Sequence, residues 1–248
     1  MHCLACNLTT RYRFLELVCP RCGVEAAIDE VIPPRGGAKR VRAVRASSVA
    51  TTSSARRVKT DADTDRATGG GFVLGSAWLL SGFAGSGKST GALRWSRKIS
   101  RATSRPILYG SAEMAPDLVR AMAARLELDL DQLWILATED LHALCVEAVE
   151  LRPCAVVLDS VARFCVAGGD PGTPTAMVGT VQASIHLARQ IDAVAFAIAH
   201  ATTEGTVKGP TDLEHDVDVA AWVRDDGIAE ITKNRWGATP AEIIARRQ

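Results

Sequence analysis

The chain has 248 residues, of which 47% are hydrophobic and 23% are charged; these ordinary proportions exclude wholesale disorder, collagen-like repeats and a coiled-coil rod. The net charge of +1 excludes a uniformly basic nucleic-acid coat but is compatible with a local basic patch. The longest apolar stretch, residues 193–199, is far below the roughly 20 residues that span a bilayer, and the first residues lack a secretory signal, so we expect a cytoplasmic protein without a membrane partner.

The first predicted element is a cysteine module at residues 1–31. It contains two Cys-x-x-Cys pairs separated by 12 residues, which is the spacing of a structural zinc site with four sulfur ligands. Two disulfides or free thiols are the alternatives, and disulfides are disfavoured in a chain without an export signal. The module is therefore predicted to be a small zinc ribbon whose Zn²⁺ ligands are Cys3, Cys6, Cys19 and Cys22.

A flexible basic linker is predicted next, at residues 32–57. Residues 31–60 contain eight Lys and Arg residues and no acidic residue, with a run of Ser, Thr, Val and Ala in the middle. Such a segment either only solvates the chain or makes weak electrostatic contacts with phosphate backbones.

From residue 58 to residue 248, short apolar strands alternate with amphipathic helices. This alternation predicts an α/β domain with a mainly parallel central sheet, and the last strands, which have no helix between them, are compatible with an antiparallel edge. The predicted strands are residues 77–80, 106–109, 133–136, 154–158, 193–199, 219–223 and 228–231, and the predicted helices are residues 88–99, 115–126, 141–151 and 175–190.

A phosphate-binding loop follows the first of these strands and opens the first helix. It matches the pattern GxxxxGK[ST], in which glycines let the backbone wrap a phosphate chain and a helix N-terminus supplies positive dipole. Lys88 is predicted to bind the β- and γ-phosphates of a nucleotide, and the Ser89 hydroxyl to hold Mg²⁺. The loop and its flank comprise Gly82, Phe83, Ala84, Gly85, Ser86, Gly87, Lys88, Ser89 and Thr90.

Three further polar residues are predicted at the carboxyl edge of the sheet. Asp159 ends a buried strand and is expected to help hold Mg²⁺. Glu113 is the best candidate for the base that activates water, since Asp159 is followed by Ser160 and not by Glu; the alternative is a helix-capping or surface Glu. His200 is predicted to contact the γ-phosphate, or else to be a structural histidine.

With these residues the chain resembles the RadA/Sms DNA-repair ATPases, which are bacterial RecA-like proteins with an amino-terminal zinc finger. The resemblance runs through most of the chain and combines the four cysteines, the phosphate loop and a final Lys-Asn-Arg-Trp-Gly at residues 233–237. The other matching segments are residues 68–76, 109–113, 157–160, 204–205 after His200, 209–210 and 213–215.

The resemblance implies a RecA-like P-loop NTPase core that uses ATP and Mg²⁺ and forms a ring, a hexamer in this family. It implies a motor on single-stranded or branched DNA that promotes branch migration in homologous recombination beside a RecA-type recombinase. Glu113 would be the catalytic base, and Lys233 and Arg235 would couple hydrolysis to DNA work, because a cation from a neighbouring subunit can neutralise transition-state charge. An ordinary basic strand end is the alternative for these two residues.

In a RecA-like ring, the loop at residues 201–211 would face the central channel. Lys208 is predicted to meet a DNA phosphate, while Thr203 and Thr206 would hydrogen-bond to the backbone. The family usually carries a further carboxyl-terminal domain that resembles the Lon protease, and the sequence stops soon after residues 233–237, so a short form without that domain is expected.

Two functions are compatible with these residues. The first is a DNA motor or remodeller with DNA-stimulated ATP hydrolysis and helicase activity. The second is an ATP-gated adaptor, not a motor, that docks on a recombinase or replication protein. A small-molecule kinase is disfavoured, because no segment resembles a lid with paired arginines.

Overall fold

The computed structural model describes residues 56–165, 170–201 and 213–245, together with Arg45 and the backbone of two short strands near the amino terminus. The helices are α1 (Ala62–Thr68), α2 (Lys88–Thr103), α3 (Pro116–Arg125), α4 (Leu141–Leu151), α5 (Pro174–Ile191) and α6 (Leu213–Asp216). The strands are β1 (His2–Cys3), β2 (Ile28–Asp29), β3 (Arg57–Val58), β4 (Phe72–Val73), β5 (Ala77–Ser81), β6 (Ile107–Ser111), β7 (Leu133–Ala137), β8 (Ala155–Asp159), β9 (Val194–Ile198), β10 (Val219–Val223), β11 (Ile228–Asn234) and β12 (Ala241–Ile244).

One eight-stranded sheet organises the chain, in the order β12-β11-β10-β5-β9-β8-β6-β7. The six strands from β10 to β7 are parallel, whereas β11 and β12 are antiparallel. The prediction of an α/β domain with a mainly parallel sheet is thus confirmed, and its antiparallel edge is the β11–β12 pair. Separately, β1 pairs with β2 and β3 pairs with β4, each antiparallel.

Helices cover both faces of this sheet. Apolar residues of α2 and α3 pack into one core, and those of α4 and α5 pack into two clusters made with alternating strand residues. Every residue of β5, β6, β8 and β9 is buried, which explains why these strands are continuous apolar runs and not alternating ones. Within the described residues, no helix has the length and apolar content needed to cross a membrane.

Four aromatic rings fill the core under α2. Phe72, Trp78, Trp95 and Phe196 are at most 2% exposed, and their contacting ring centroids lie 5.3–6.1 Å apart. Tilted and edge-on ring pairs of this kind add to the free energy of burial. Because Trp78 lies on β5 and Trp95 on α2, the cluster joins the strand and the helix that flank the phosphate loop.

Strand register brings chemistry-bearing residues to one edge of the sheet. Ser111 on β6 lies opposite Asp159 on β8, and Asp159 lies opposite Ile198 on β9, two residues before His200. These are the carboxyl ends of parallel strands, where open α/β sheets bind ligands.

Candidate active site

The phosphate loop connects β5 to α2 at this edge. Gly82 has φ 147°, and a Cβ there would lie 2.4 Å from the carbonyl oxygen of Val223 at the end of β10, so a side chain does not fit. Gly87, with φ 104°, leads the chain into the first turn of the 16-residue helix α2. The loop therefore lies at the amino-terminal end of a long helix, where a bound anion is stabilised.

Lys88 folds back over the loop. Its Nζ donates to the carbonyl oxygens of Gly82 at 2.9 Å and Phe83 at 2.6 Å. Burial lowers the pKa of Lys88, and the nearby carboxylates of Asp159 and Glu113 oppose that effect. The Ser86 hydroxyl is buried and has no hydrogen-bond partner among the described residues. A phosphate chain offers acceptor oxygens to both groups, so the donors of the loop fit a nucleotide.

The remaining loop residues lie around these donors. Phe83 is 37% exposed and packs edge-on against Trp222 of β10, with ring centroids 5.6 Å apart, so the rim of the loop is aromatic. Ala84 and Gly85 are exposed, and Thr90 lies half-buried in the first turn of α2.

Asp159 lies at the bottom of the site and is only 4% exposed. Its Oδ2 accepts a hydrogen bond from Ser89 Oγ at 2.7 Å and a second from the Tyr109 hydroxyl. Burial raises the pKa of Asp159, and the two hydroxyl donors oppose this. Burial and the Asp159 carboxylate also raise the pKa of Tyr109, so its hydroxyl stays protonated and acts as the donor.

These oxygens suit Mg²⁺. The ion prefers carboxylate and hydroxyl oxygens and commonly takes only one or two carboxylates from a protein, completing its shell with phosphates and water. Ser89 and Asp159 are the residues that would hold it here. In the ranges that the structure describes, no group of three or more His, Cys, Asp or Glu side chains is placed to bind a metal, so an ion at Ser89 and Asp159 would need phosphate oxygens and water as further ligands.

Glu113 lies two residues beyond β6 and is held by its neighbours. Its Oε1 accepts from Ser160 Oγ at 2.6 Å, and its Oε2 lies 3.8 Å from His200 Nε2. The Glu113 side chain is 38% exposed, which leaves the carboxylate open to water. It is not the capping residue of α3, because that position belongs to Ala115. The structure thus brings Glu113 and His200 together at the edge that carries Lys88.

Two residues of this site were not predicted from the sequence. Tyr109 carries a hydroxyl group in a strand of otherwise aliphatic and small residues, and Ser160 directly follows Asp159. The hydrogen bonds of both residues join β6 or its following loop to the end of β8, across 50 and 47 positions of sequence. Only the strand register identifies such pairs.

Lys233 and Arg235 lie at the opposite edge of the sheet. Val219 of β10 pairs with both Asn234 and Trp78, near the start of β5, whereas the phosphate loop follows the end of β5. The register position of Asn234, between the two cations, thus lies four residues, or about 13 Å along the strand direction, before Gly82. The structure therefore does not bring either cation to the phosphate loop of its own chain.

Both cations are anchored where they lie. Lys233 Nζ donates to the carbonyl oxygens of Glu214 at 2.9 Å and His215 at 2.6 Å, and burial, followed by the nearby Arg235, lowers its pKa. Arg235 Nε lies 3.6 Å from Asp218 Oδ1, and the Asp218 side chain is only 3% exposed. Lys233 thus contacts α6, which directly follows the predicted DNA-contacting loop.

The glycine-rich turn after α1 docks against residues 234–237. Gly69 has φ 77°, and a Cβ there would lie 2.6 Å from both Gly237 Cα and Trp236 O. Asn234 Nδ2 donates to Thr68 O at 3.3 Å, and Arg57 donates to the carbonyls of Gly69 and Trp236. Two motifs that are far apart in the sequence therefore form one contact beside the two cations.

Other predicted positions lie outside the described residues. The predicted DNA contacts Thr203, Thr206 and Lys208 fall within residues 202–212. Of the predicted zinc ligands, Cys6, Cys19 and Cys22 also fall outside, and Cys3 is described only as backbone of β1, opposite Ile28.

Comparison with known proteins identifies relatives. A family model described as an AAA domain matches residues 43–206. The DNA repair protein RadA of Mycolicibacterium smegmatis is 34% identical over 247 residues, which cover 89% of this chain and 52% of the relative. RadA of Brucella abortus is 35% identical over 187 residues (71% and 40%), and RadA of Bacillus subtilis is 30% identical over 240 residues (89% and 52%).

The chain spans about half the length of the curated relatives it matches. The family match covers most of the chain and includes the phosphate loop, Glu113, Asp159 and His200. Family membership implies the use of a nucleotide and Mg²⁺, which agrees with the donors and acceptors at the carboxyl edge. The chain therefore belongs to the AAA domain family and is a RadA/Sms-like ATPase of the RecA type.

Proposed function

We propose that this protein is an ATP-driven DNA motor or remodeller that acts in DNA repair by homologous recombination. The observation that carries the proposal is the division of the catalytic groups between two edges of the sheet. The phosphate loop, Asp159 and Glu113 lie at one edge, and Lys233 and Arg235 lie at the other. Two copies arranged head to tail would complete a site that one copy cannot.

At the carboxyl edge, each residue has a defined task. Lys88 exchanges the carbonyls of Gly82 and Phe83 for phosphate oxygens. Ser89 and Asp159 hold Mg²⁺, which when bound neutralises charge on the transferring phosphoryl group. Glu113, fixed by Ser160, orients water for attack on the γ-phosphate.

At the opposite edge, Lys233 or Arg235 reaches the nucleotide of the neighbouring copy. A cation supplied in this way stabilises transition-state charge and is worth on the order of 10³-fold or more in rate. Lys233 also holds α6 through the carbonyls of Glu214 and His215, so a move of Lys233 toward a nucleotide would release the segment next to the DNA-contacting loop. The contact between Lys233 and α6 would thus couple ATP hydrolysis to the position of the DNA-contacting loop.

The DNA substrate is supported by the relatives, which are named as DNA repair proteins, and by the predicted contacts at Thr203, Thr206 and Lys208. We propose a ring that encloses single-stranded or branched DNA, promotes branch migration with helicase activity, and works beside a RecA-type recombinase. The amino-terminal module would bind Zn²⁺ through its four cysteines.

The first test measures ATP turnover by the purified chain with and without single-stranded DNA. We expect DNA to stimulate turnover, and Lys88→Ala and Glu113→Gln to abolish it. Arg66→Ala is the matched control, because the Arg66 side chain is 80% exposed and its guanidinium pairs with Asp63 on the same helix. Nucleotide binding without DNA-dependent turnover would refute the motor and support an ATP-gated adaptor.

A mixing experiment tests the shared site. Glu113→Gln and Arg235→Ala copies are each expected to be inactive. A mixture contains interfaces that combine the intact Glu113 of one copy with the intact Arg235 of the other, so turnover should recover in part. A mixture no more active than its components would contradict a site shared between copies.

A further inference from the structure

Tyr109 occupies a position where packing requires a ring but not a hydroxyl. It lies in the middle of β6 opposite Val157, is fully buried, and belongs to the large core cluster. A phenylalanine would fill the same space. The hydroxyl nevertheless contacts Asp159, which ends the adjacent strand two residues further on.

The two hydroxyl groups that donate to Asp159 differ in whether they can also bind a metal ion. Oδ2 accepts from Ser89 and from Tyr109, and a carboxylate oxygen has two lone pairs for such donors. The Ser89 hydroxyl can donate its proton to Asp159 while its own lone pairs bind a metal ion. The Tyr109 ring is fully buried in the core, so its hydroxyl acts as a donor to the carboxylate and is not itself open to solvent.

We propose that Tyr109 is a positioning residue that fixes the Asp159 carboxylate for binding of the magnesium–nucleotide complex. This inference rests on the proposed ATP-hydrolysing function and adds a residue to it. Tyr109 holds the carboxylate where Ser89 Oγ lies 2.7 Å away, so that the two oxygen ligands are next to each other before the metal ion binds. This is the support that a neighbouring hydrogen bond commonly gives to a metal ligand.

Removal of the hydroxyl should therefore weaken Mg²⁺ binding more than nucleotide binding. Without Tyr109, a carboxylate that is 4% exposed loses one of two donors and becomes free to rotate away from Ser89. Because hydrogen bonds to charged groups are stronger than those between neutral groups, we expect loss of the Tyr109 donor to lower the Mg²⁺ affinity about tenfold or more.

The experiment uses the full chain and a fluorescent ATP analogue, mant-ATP, titrated with Mg²⁺ and separately in EDTA. For Tyr109→Phe, we expect the Mg²⁺ concentration at half-maximal binding to rise about tenfold or more, with binding in EDTA unchanged. Thr180→Val is the matched control, because it removes another fully buried hydroxyl, which bonds Ala176 O at 2.9 Å on α5. It should leave both titrations unchanged.

The outcomes separate the two proposals. A wild-type Mg²⁺ dependence in Tyr109→Phe overturns the positioning role, as does a loss that is equal with and without Mg²⁺. Equal thermal midpoints of Tyr109→Phe and Thr180→Val without nucleotide, together with a Mg²⁺ shift confined to Tyr109→Phe, support it. If the wild-type chain binds no mant-ATP, or binds it as well as Lys88→Ala does, the proposed function itself falls and the positioning role falls with it.

Discussion

The contact between Asp218 and Arg235 predicts a measurable coupling. Asp218 is buried directly before β10, where its Oδ2 accepts the Ala77 amide at 3.0 Å and its backbone carbonyl accepts the Arg235 amide at 3.2 Å. Its Oδ1 faces Arg235 at 3.6 Å and Arg189 at 3.5 Å. The substitution Asp218→Asn removes the charge but leaves an amide oxygen that can still accept the Ala77 N–H.

The size of the effect follows from distance and exposure. Two unit charges 3.6 Å apart attract by about 5 kcal/mol at an effective dielectric constant of 20 and by about 1 kcal/mol in bulk water. The Arg235 side chain is 49% exposed, so screening by solvent keeps the interaction near the lower value. We expect a coupling of about 1–2 kcal/mol between the two side chains.

A double-mutant cycle measures this coupling. Urea unfolding of the wild type, Asp218→Asn, Arg235→Ala and the double variant gives the four free energies of unfolding. The double variant should be more stable than the sum of the single effects predicts, because the attraction between these two side chains is lost only once, whereas the sum of the single effects counts it twice. Additivity within about 0.5 kcal/mol would refute the reasoning and show that the Asp218 carboxylate does not hold the Arg235 side chain.

Three further predictions concern other parts of the chain. The guanidinium of Arg105 donates five hydrogen bonds to carbonyls at the ends of α4 and α5. Arg105→Ala should therefore lower the free energy of unfolding, measured in urea, by about 2–4 kcal/mol, and Arg105→Lys by about half as much. A decrease below about 1 kcal/mol for Arg105→Ala would contradict this role of the guanidinium. Partial burial raises the pKa of Asp61, but hydrogen bonds from Lys98 and Thr64 outweigh this effect and hold the pKa below its ordinary value of 3.8. The stabilisation by the ionised Asp61 is present above pH 3.8 and is lost as the pH falls through the lower folded-state pKa. Asp61→Asn should therefore lower the free energy of unfolding by about 1 kcal/mol at pH 7 and leave it unchanged near pH 2. An equal decrease at both pH values would contradict the pairing of an ionised Asp61. Elemental analysis should find zinc in the wild type and none after the joint replacement of Cys19 and Cys22 by Ser; zinc absent from the wild type would reject the predicted ribbon.

The central sheet could be predicted from the sequence because its strands are continuous apolar runs separated by long helical patterns. All seven predicted strands correspond to strands of the main sheet, and α2 to α5 lie within a few residues of the predicted helices. The last strand, β12, was not predicted, since it has only four residues and an exposed Glu242 interrupts its apolar pattern. The short helices α1 and α6 were missed for the same reason of length.

The candidate site was predictable where a motif or a strand end marks it. Lys88 and Ser89 follow from the glycine pattern, and Asp159 and Glu113 from their positions after buried strands. Tyr109, Ser160 and Asp218 were missed, because each contacts a partner on another strand and no local pattern distinguishes it. Side-chain pairing of this kind depends on register, which the sequence does not display.

The position of Lys233 and Arg235, away from the phosphate loop of their own chain, has a consequence for kinetics under the proposed function. Dilute, unassembled chains would hydrolyse ATP slowly even when saturated with nucleotide, and turnover per chain would rise with protein concentration until assembly is complete. Head-to-tail contacts also make the number of complete sites equal to the number of interfaces. An open row of copies therefore has one site fewer than it has chains, and closure of the ring creates the last one.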